Sequence, residues 1–353
     1  MKASFSREAI LAERLRRQRL LEPLKARKGY EGLFGLLQPV APVHNTYPGH
    51  PPRLVHRTAF DDGVEADRMR AGRRMVKGRF LGGNIGYVLA KDLRLYATAF
   101  RRPLPGLNRI QGTVLKAVQT MGGLTPRQIK EETGLLIKGI MPALHRLQEA
   151  FLVHEDQVDS EWERCWYDFA SEWPEIDLED IPWEAAAERV LLRFLRGHVF
   201  ATMEQVKDWS QLPSRPLRAL VSGMEKNRAM APVTVERIGE GWVCQEDVSL
   251  RADSAPPSAF MVHRADTLVL SHASELKRRF GDREALQYLL IDGAFQGAVL
   301  GHWRIGPHDV EDIAVELPAP KRRQRREEIL KAVARQYRPP HSRILRYDGK
   351  AVK

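Results

Sequence analysis

Apolar residues along this chain recur at helical spacing in two stretches that superpose with a constant offset of 77 residues and no gap. The pairs Leu115/Leu192, Val118/Leu195, Ile129/Val206, Leu135/Leu212, Ile140/Leu217, Leu144/Val221 and Leu147/Met224 are apolar in both copies, as the buried face of a helix requires. Thr125 and Thr202 stand at equivalent places, each with a Gln three residues on (Gln128, Gln205). That is the capping-box spacing, in which side chain and backbone satisfy each other at a helix start. Each copy therefore predicts a helix, a capped helix, a tight turn and a longer helix, which is the helix-turn-helix order. Extended segments close them: Phe151-Leu152-Val153-His154 in the first, and Val233-Thr234-Val235 with Trp242-Val243-Cys244 around Gly239 and Gly241 in the second. The pattern predicts two winged helices in tandem; the alternative is an all-α bundle with coincidental periodicity, against which the gapless repeat and its two caps weigh.

Upstream, Ser6 predicts the cap of a helix with Ile10, Leu11, Leu15 and Leu20 on one side and Arg14, Arg16, Arg17 and Arg19 over much of the rest. A short helix over 30–38 carries Leu33, Phe34 and Leu37, and prolines at 39, 42, 48, 51 and 52 then break regular structure. Residues 61–72 read as a helix, 75–81 and 84–88 as two strands joined through Gly82-Gly83, and 92–100 as a helix. This region has the order of a third, diverged winged helix, ending at Pro103-Leu104-Pro105-Gly106. After Ala255-Pro256-Pro257 the period changes. Leu289 to Phe295 predicts a strand, an Asp-Gly turn and a return strand running through 299–305, followed by a strand over 310–317. An amphipathic helix bearing Ile329, Leu330, Val333 and Tyr337 follows the basic run 321–326. The expected fold is mainly α with β wings: tandem winged helix-turn-helix domains plus a small β-rich α+β domain at the C-terminus. The boundaries fall at 1–108, 109–182, 183–254 and 255–353.

Charge changes this picture by its distribution. The formal net charge is +11, and residues 1–108 hold 21 Lys+Arg against 9 Asp+Glu, so the remaining 35 against 36 nearly cancel. Such a concentration is the electrostatic footprint of a phosphate-contacting face, and with winged helices it predicts double-stranded DNA as the partner. Between the repeats, residues 155–188 carry 13 Asp+Glu and one cation, Arg164. That segment is a solvated connector, or it orients the modules by repulsion from DNA or by pairing with the basic N-terminal region. Two cysteines, Cys165 and Cys244, support neither a disulfide framework nor a zinc site, and the 11 His show no ligand spacing, so no metal or other cofactor is expected. No apolar run of about 18 residues occurs, and Met1 to Phe5 lead straight into a charged helix, which predicts a soluble, cytoplasmic protein with no membrane partner.

Three groups of residues, in this order, carry a resemblance to a known family. They are Met75-Val76-Lys77 through Val88 with Asp92-Leu93-Arg94-Leu95-Tyr96, then Trp166-Tyr167-Asp168-Phe169-Ala170, then Leu290-Ile291-Asp292-Gly293 with Gly301-His302-Trp303-Arg304. The chain resembles, over nearly its whole length, the winged-helix DNA glycosylases of the AlkZ-like type. The resemblance implies a monomer acting on damaged duplex DNA, hydrolysing the N-glycosidic bond of alkylated bases and, in some members, unhooking interstrand crosslinks. Such chemistry needs no metal. An N-alkylated purine is a charged leaving group, and the protein has to position a water and stabilise a cationic sugar.

The family supplies those groups from a Gln-x-Gln or Gln-x-Asp motif just after the second helix, where this chain reads Leu36-Leu37-Gln38-Pro39-Val40. Gln38 is thus the candidate catalytic residue, with an amide that only caps its helix as the competing reading. Val40 can neither orient a water nor bear charge. In the wing, the family's Arg-Gly-Thr-x-His is replaced by Gly82-Gly83-Asn84-Ile85-Gly86, in which Asn84 keeps a hydrogen bond of the Thr. His44, Asn45, His50, Asp61 and Asp62 are the residues available to replace the missing group. DNA contacts are expected from Arg14 and Arg17, from Lys77, Arg79 and Asn84, and from Lys138 and Arg215 near the starts of the two longer helices. The departures leave open a non-catalytic DNA binder, a transcription regulator or lesion-binding protein that kept the fold and lost the motif.

Overall fold

A computed structural model describes residues 3–42, 51–155, 164–251, 253–304 and 306–352. The chain opens with strand β1 (Ala3–Phe5) and helix α1 (Arg7–Arg17), whose cap Ser6 accepts the Ala9 amide at 3.1 Å. Helices α2 (Tyr30–Leu37) and α3 (Asp62–Ala71) follow, then the hairpin of β2 (Met75–Phe80) and β3 (Asn84–Leu89), then α4 (Leu93–Phe100). From α2 to α4 these elements lie within one residue of the bounds read from the sequence.

Next come α5 (Arg109–Met121), α6 (Pro126–Thr133), α7 (Ile137–Glu149), β4 (Val153–Glu155), β5 (Trp166–Asp168) and the one-turn α8 (Phe169–Glu172). They are followed by α9 (Trp183–His198), α10 (Met203–Ser210), α11 (Ser214–Lys226), β6 (Met230–Val235) and β7 (Gly239–Cys244). The bounds of α10 and α11 are those of α6 and α7 shifted by 77 residues. Both capping boxes form, Thr125 with Gln128 and Thr202 with Gln205. Positive φ recurs at the same offset: Gly122 (φ 79°) with Val199 (66°), Gly134 (69°) with Gln211 (54°), and Phe151 (55°) with Arg228 (55°). The repeat is therefore one of backbone path, not only of apolar positions.

The cores join distant parts of the chain. Val76, Phe80, Tyr96 and Phe100 of the first region share one core with Phe194, Leu195, Trp209 and Leu217 of the α9–α11 region. Phe194 stacks on Trp209 with ring centroids 4.3 Å apart, and Phe100 meets Trp209 edge-on at 6.0 Å. β1 adds to β6 in parallel, and Phe5 packs with Val233 and Val235. The α5–α7 region keeps its own core around Val118, Ile129, Leu144 and Trp166.

The remainder holds β8 (Ala259–His263), α12 (Thr267–Ser271), α13 (Ala273–Phe280), β9 (Ala285–Ile291), β10 (Ala294–Leu300), β11 (Asp312–Val315), α14 (Ala319–Gln324), α15 (Arg326–Ala334), β12 (Arg346–Tyr347) and β13 (Lys350–Ala351). They build a six-stranded sheet in the order β13-β12-β11-β10-β9-β8. The strand expected to run on to 305 stops at Leu300, because His302 and the Trp303 amide turn out to Glu284. The basic run folds as its own helix, α14, ahead of the amphipathic α15. At the β9–β10 turn Asp292 (φ 52°) and Gly293 (φ 80°) are both left-handed, the twist a two-residue hairpin loop needs. A Cβ on Gly293 would lie 3.0 Å from Leu11 Cβ, so this turn sits directly on α1.

Candidate functional site

The end of α2 delivers Gln38 into the interior, 2 % exposed. Its amide nitrogen donates to Asp92 Oδ2 at 2.7 Å, its amide oxygen accepts the Leu89 N–H at 2.8 Å, and its carbonyl accepts the Tyr96 hydroxyl at 3.3 Å. The other oxygen of Asp92 meets Arg193 at 2.8 Å. Burial and nearby Asp92 push the Tyr96 phenol well above its usual range, against the lowering effect of Arg193. Gln38 therefore ties α2 to β3 and α4, with one N–H and one lone pair of its side-chain amide engaged inside the protein.

Val40 pairs with Tyr87 through both backbone groups at 2.9 Å, as a short third strand beside the β2–β3 hairpin. Gly86 lets Pro39 pack against the hairpin there, since a Cβ at 86 would start 3.0 Å from Pro39 Cβ. That contact gives a physical reason for glycine at the family's His position. Beside Val40 lies a crevice of about 20 Å³, lined also by Ala41, Arg53, Arg57, His263 and Asp266. A void of that size holds a single water. Asp266 accepts both terminal nitrogens of the buried Arg57 at 2.7 and 3.0 Å and caps α12 at the Leu268 amide at 3.0 Å, which leaves one lone pair of Oδ2, and Arg57 also donates to Gln18 Oε1 at 2.8 Å. Two of the polar groups beside Val40, His263 and Asp266, thus come from β8 and the start of α12, which the sequence does not place near Val40.

Of the proposed replacements, His44, Asn45 and His50 lie outside the described residues. Asp61 caps α3 at the Gly63 amide, and Asp62, 2 % exposed, is held by Arg53 at 2.7 Å and the Leu54 amide at 2.5 Å. Both carboxylates are engaged in local structure.

Four of the seven expected DNA-contact residues are bound within the protein. Arg14 is buried and donates to the carbonyls of His198 and Phe200 at 2.8 and 2.9 Å; burial lowers its guanidinium to about 10. Arg17 grips Asp247 at 2.6 and 2.8 Å. Lys77 lies buried 2.8 Å from Glu155, which also meets Arg164, and burial pushes the Lys77 ammonium down to about 8 despite that carboxylate. Arg79 donates to Gln148 at 2.9 Å and to the Gly83 carbonyl at 3.0 Å. The physical reason is common to all four. The α1 face and the β2–β3 hairpin are docking surfaces between regions, and the hairpin tip packs on Gln211 and Glu149. Asn84 is exposed, with its amide on the Leu81 carbonyl at 2.7 Å, while Lys138 and Arg215 are exposed at the starts of α7 and α11.

Gln38, Lys77 and Arg79 do not converge on one basic cleft. Lys77 instead lines a groove of about 350 Å³ with Arg70, Arg73, His154 and Trp173, where Arg73 stacks 4.7 Å from the Trp173 ring. The acidic segment pairs with the basic region, through Glu172 to Arg73, Asp180 to Arg94 and Glu179 to Arg101. Arg19, Lys25, Arg27 and Lys28, which the sequence reading places in the basic N-terminal region without singling them out as DNA contacts, are exposed cations with no ion pair among the described residues. Their clustering in ten residues was the available signal. Among the described residues no cluster of His, Cys, Asp and Glu suits a metal ion, and no helix is long and apolar enough to cross a membrane.

The sequence matches the AlkZ-like DNA glycosylase family over residues 54–338, and the chain belongs to that family. Among solved structures, the Streptomyces sahachiroi DNA glycosylase AlkZ shares the fold: it is 17% identical, with 95% of this chain and 97% of that chain covered and a TM-score of 0.69. No curated protein matches the chain in sequence. The family match begins after Gln38-Pro39-Val40, so membership rests on the body of the fold and not on the motif segment.

Proposed function

We propose that the protein is a DNA-repair glycosylase that acts as a monomer on duplex DNA and hydrolyses the N-glycosidic bond of alkylated or bulky-adduct nucleotides. The observation that carries this is family membership over residues 54–338, together with a fold shared with AlkZ along nearly the whole chain. In this reading three winged helices follow one another in domains 1–108, 109–182 and 183–254, ahead of a β-rich domain over 255–353. Phosphate contacts come from Lys138, Arg215, Asn84 and the Arg19 to Lys28 cluster. Gln38 acts indirectly, by fixing Asp92 and β3. The water is held in the crevice beside Val40, with the Asp266 carboxylate as its acceptor. An N7-alkylated purine already carries the positive charge that makes it leave, so one held water and one carboxylate near the developing sugar cation are sufficient machinery.

A second reading is favoured by one observation: Gln38 is buried and bound to Asp92 and the Leu89 amide while Val40 is apolar, which suits a lesion-binding protein without hydrolysis. Release of abasic sites from duplex DNA carrying N7-alkylguanine separates the two. The glycosylase reading expects release by the unsubstituted chain and a loss of at least tenfold in Asp266→Asn, with duplex affinity retained. Duplex binding with no release would favour the binder.

A further inference from the structure

A cleft of about 370 Å³ opens where α1, α10, the β6–β7 turn, α13 and the β9–β10 hairpin meet, and none of residues 38–40 lines it. Five arginines line it: Arg7 and Arg14 from α1, Arg237 from the turn, and Arg278 and Arg279 from α13. Its three carboxylates are already engaged. Glu204 accepts both terminal nitrogens of Arg278 at 2.6 and 2.9 Å, Glu275 accepts Arg279 at 2.5 Å, and Asp208 accepts the amide and hydroxyl of Ser274 at 2.6 and 2.7 Å.

The donors left over are cationic. Arg14 is 4 % exposed and spends Nε and Nη2 on backbone carbonyls, which leaves Nη1 without a partner among the described residues. Arg7 has neither a hydrogen bond nor an ion pair from its side chain among the described residues, and Arg237 meets only its neighbour Glu236, at 3.4 Å. His272 on the same wall takes the Gln205 amide at 2.8 Å; burial and then Arg14 push it down to about 3, so it adds no charge at neutral pH. Four apolar side chains, Leu11, Ile238, Leu290 and Phe295, also line it. A phosphate alone would leave much of this volume empty, whereas a phosphate with its deoxyribose places the anion on guanidinium donors and the sugar on the apolar wall.

We propose that this cleft is a phosphate-ester site, with Arg7, Arg14 and Arg237 as its donors and a DNA backbone phosphate as its source. The inference rests on the DNA reading above for that source; a free nucleotide carries the same group, and the experiment separates the two. Anisotropy of a labelled duplex and calorimetric titration of a 2′-deoxynucleoside 5′-monophosphate are measured on the full chain and on Arg7→Glu and Arg237→Glu. Lys350→Glu, on the far edge strand β13, is the charge-matched control. Both cleft variants are expected to bind duplex about tenfold more weakly than the control, with the slope of log K against log salt reduced by about 1. The monophosphate is expected to bind the unsubstituted chain and not Arg7→Glu. Monophosphate binding lost in Arg7→Glu with duplex affinity equal to the control supports the site and overturns DNA as its source. A chain that binds no duplex at all, yet loses the monophosphate in Arg7→Glu, overturns the DNA reading and leaves the site supported. Equal behaviour of all three variants towards both ligands overturns the proposal.

Discussion

Gln38 has both ends of its amide occupied inside the protein, and that arrangement has a thermodynamic consequence. Gln38→Ala would leave the Leu89 N–H without its acceptor and Asp92 without one of its donors, each a buried group costing about 1–3 kcal/mol. Denaturant unfolding should therefore register a loss of roughly 2–4 kcal/mol. An unchanged midpoint with abolished base release would mean that Gln38 acts on the substrate directly. His198 and His272 carry a second residue-scale expectation. Burial holds both below the usual histidine range, and Arg14 lowers them further; His272 falls to about 3. The unfolded chain takes up protons below about pH 6.5 while the folded one does not, so stability present above that pH is lost progressively as pH falls towards 3. At pH 5 His272 removes about 2 kcal/mol, and His198 acts in the same direction. Denaturation at pH 7 and pH 5 checks this, and His272→Gln is expected to recover part of the difference between those two values.

At the scale of elements, the β9–β10 turn ties the C-terminal sheet to the N-terminal helix. Gly293→Ala would force a Cβ to 3.0 Å from Leu11 Cβ at φ 80°, at a cost of about 1–3 kcal/mol. A melting temperature equal to that of the unsubstituted chain would show that the turn and α1 are not packed as described. The elements themselves were largely legible in the sequence. The caps at Thr125 and Thr202, the Asp-Gly turn and the bounds from α2 to α4 followed from local chemistry, which acts within a few residues. What was not legible is where each element's second face goes. Lys77 and Arg79 look like a basic wing when β2 is read alone; only the tertiary docking of the hairpin on α7 and β4 reveals their partners Glu155 and Gln148. The same holds at the crevice, where Asp266 comes more than 200 residues after Val40 and no periodicity links them.

Across the whole molecule, the positive excess of residues 1–108 is not a free surface. Arg17, Lys77, Arg73, Arg94 and Arg101 are matched to carboxylates from Glu155 onward, and Arg14 to carbonyls, so much of the N-terminal charge holds the regions together. The cations left for nucleic acid are the Arg19 to Lys28 cluster, the starts of α7 and α11, and, in the cleft, Arg7, Arg237 and the remaining Nη1 of Arg14. These surround a fold shared with AlkZ, in which Gln38 is buried and the carboxylate in the crevice beside Val40 is Asp266. The central claim is that this arrangement still hydrolyses a glycosidic bond. The direct measurement is quantification, by mass spectrometry, of free base released from duplex DNA containing N7-alkylguanine. The account expects release well above the protein-free rate, and at least tenfold less with Asp266→Asn. Release no faster than without protein, from duplex that the chain demonstrably binds, would contradict it.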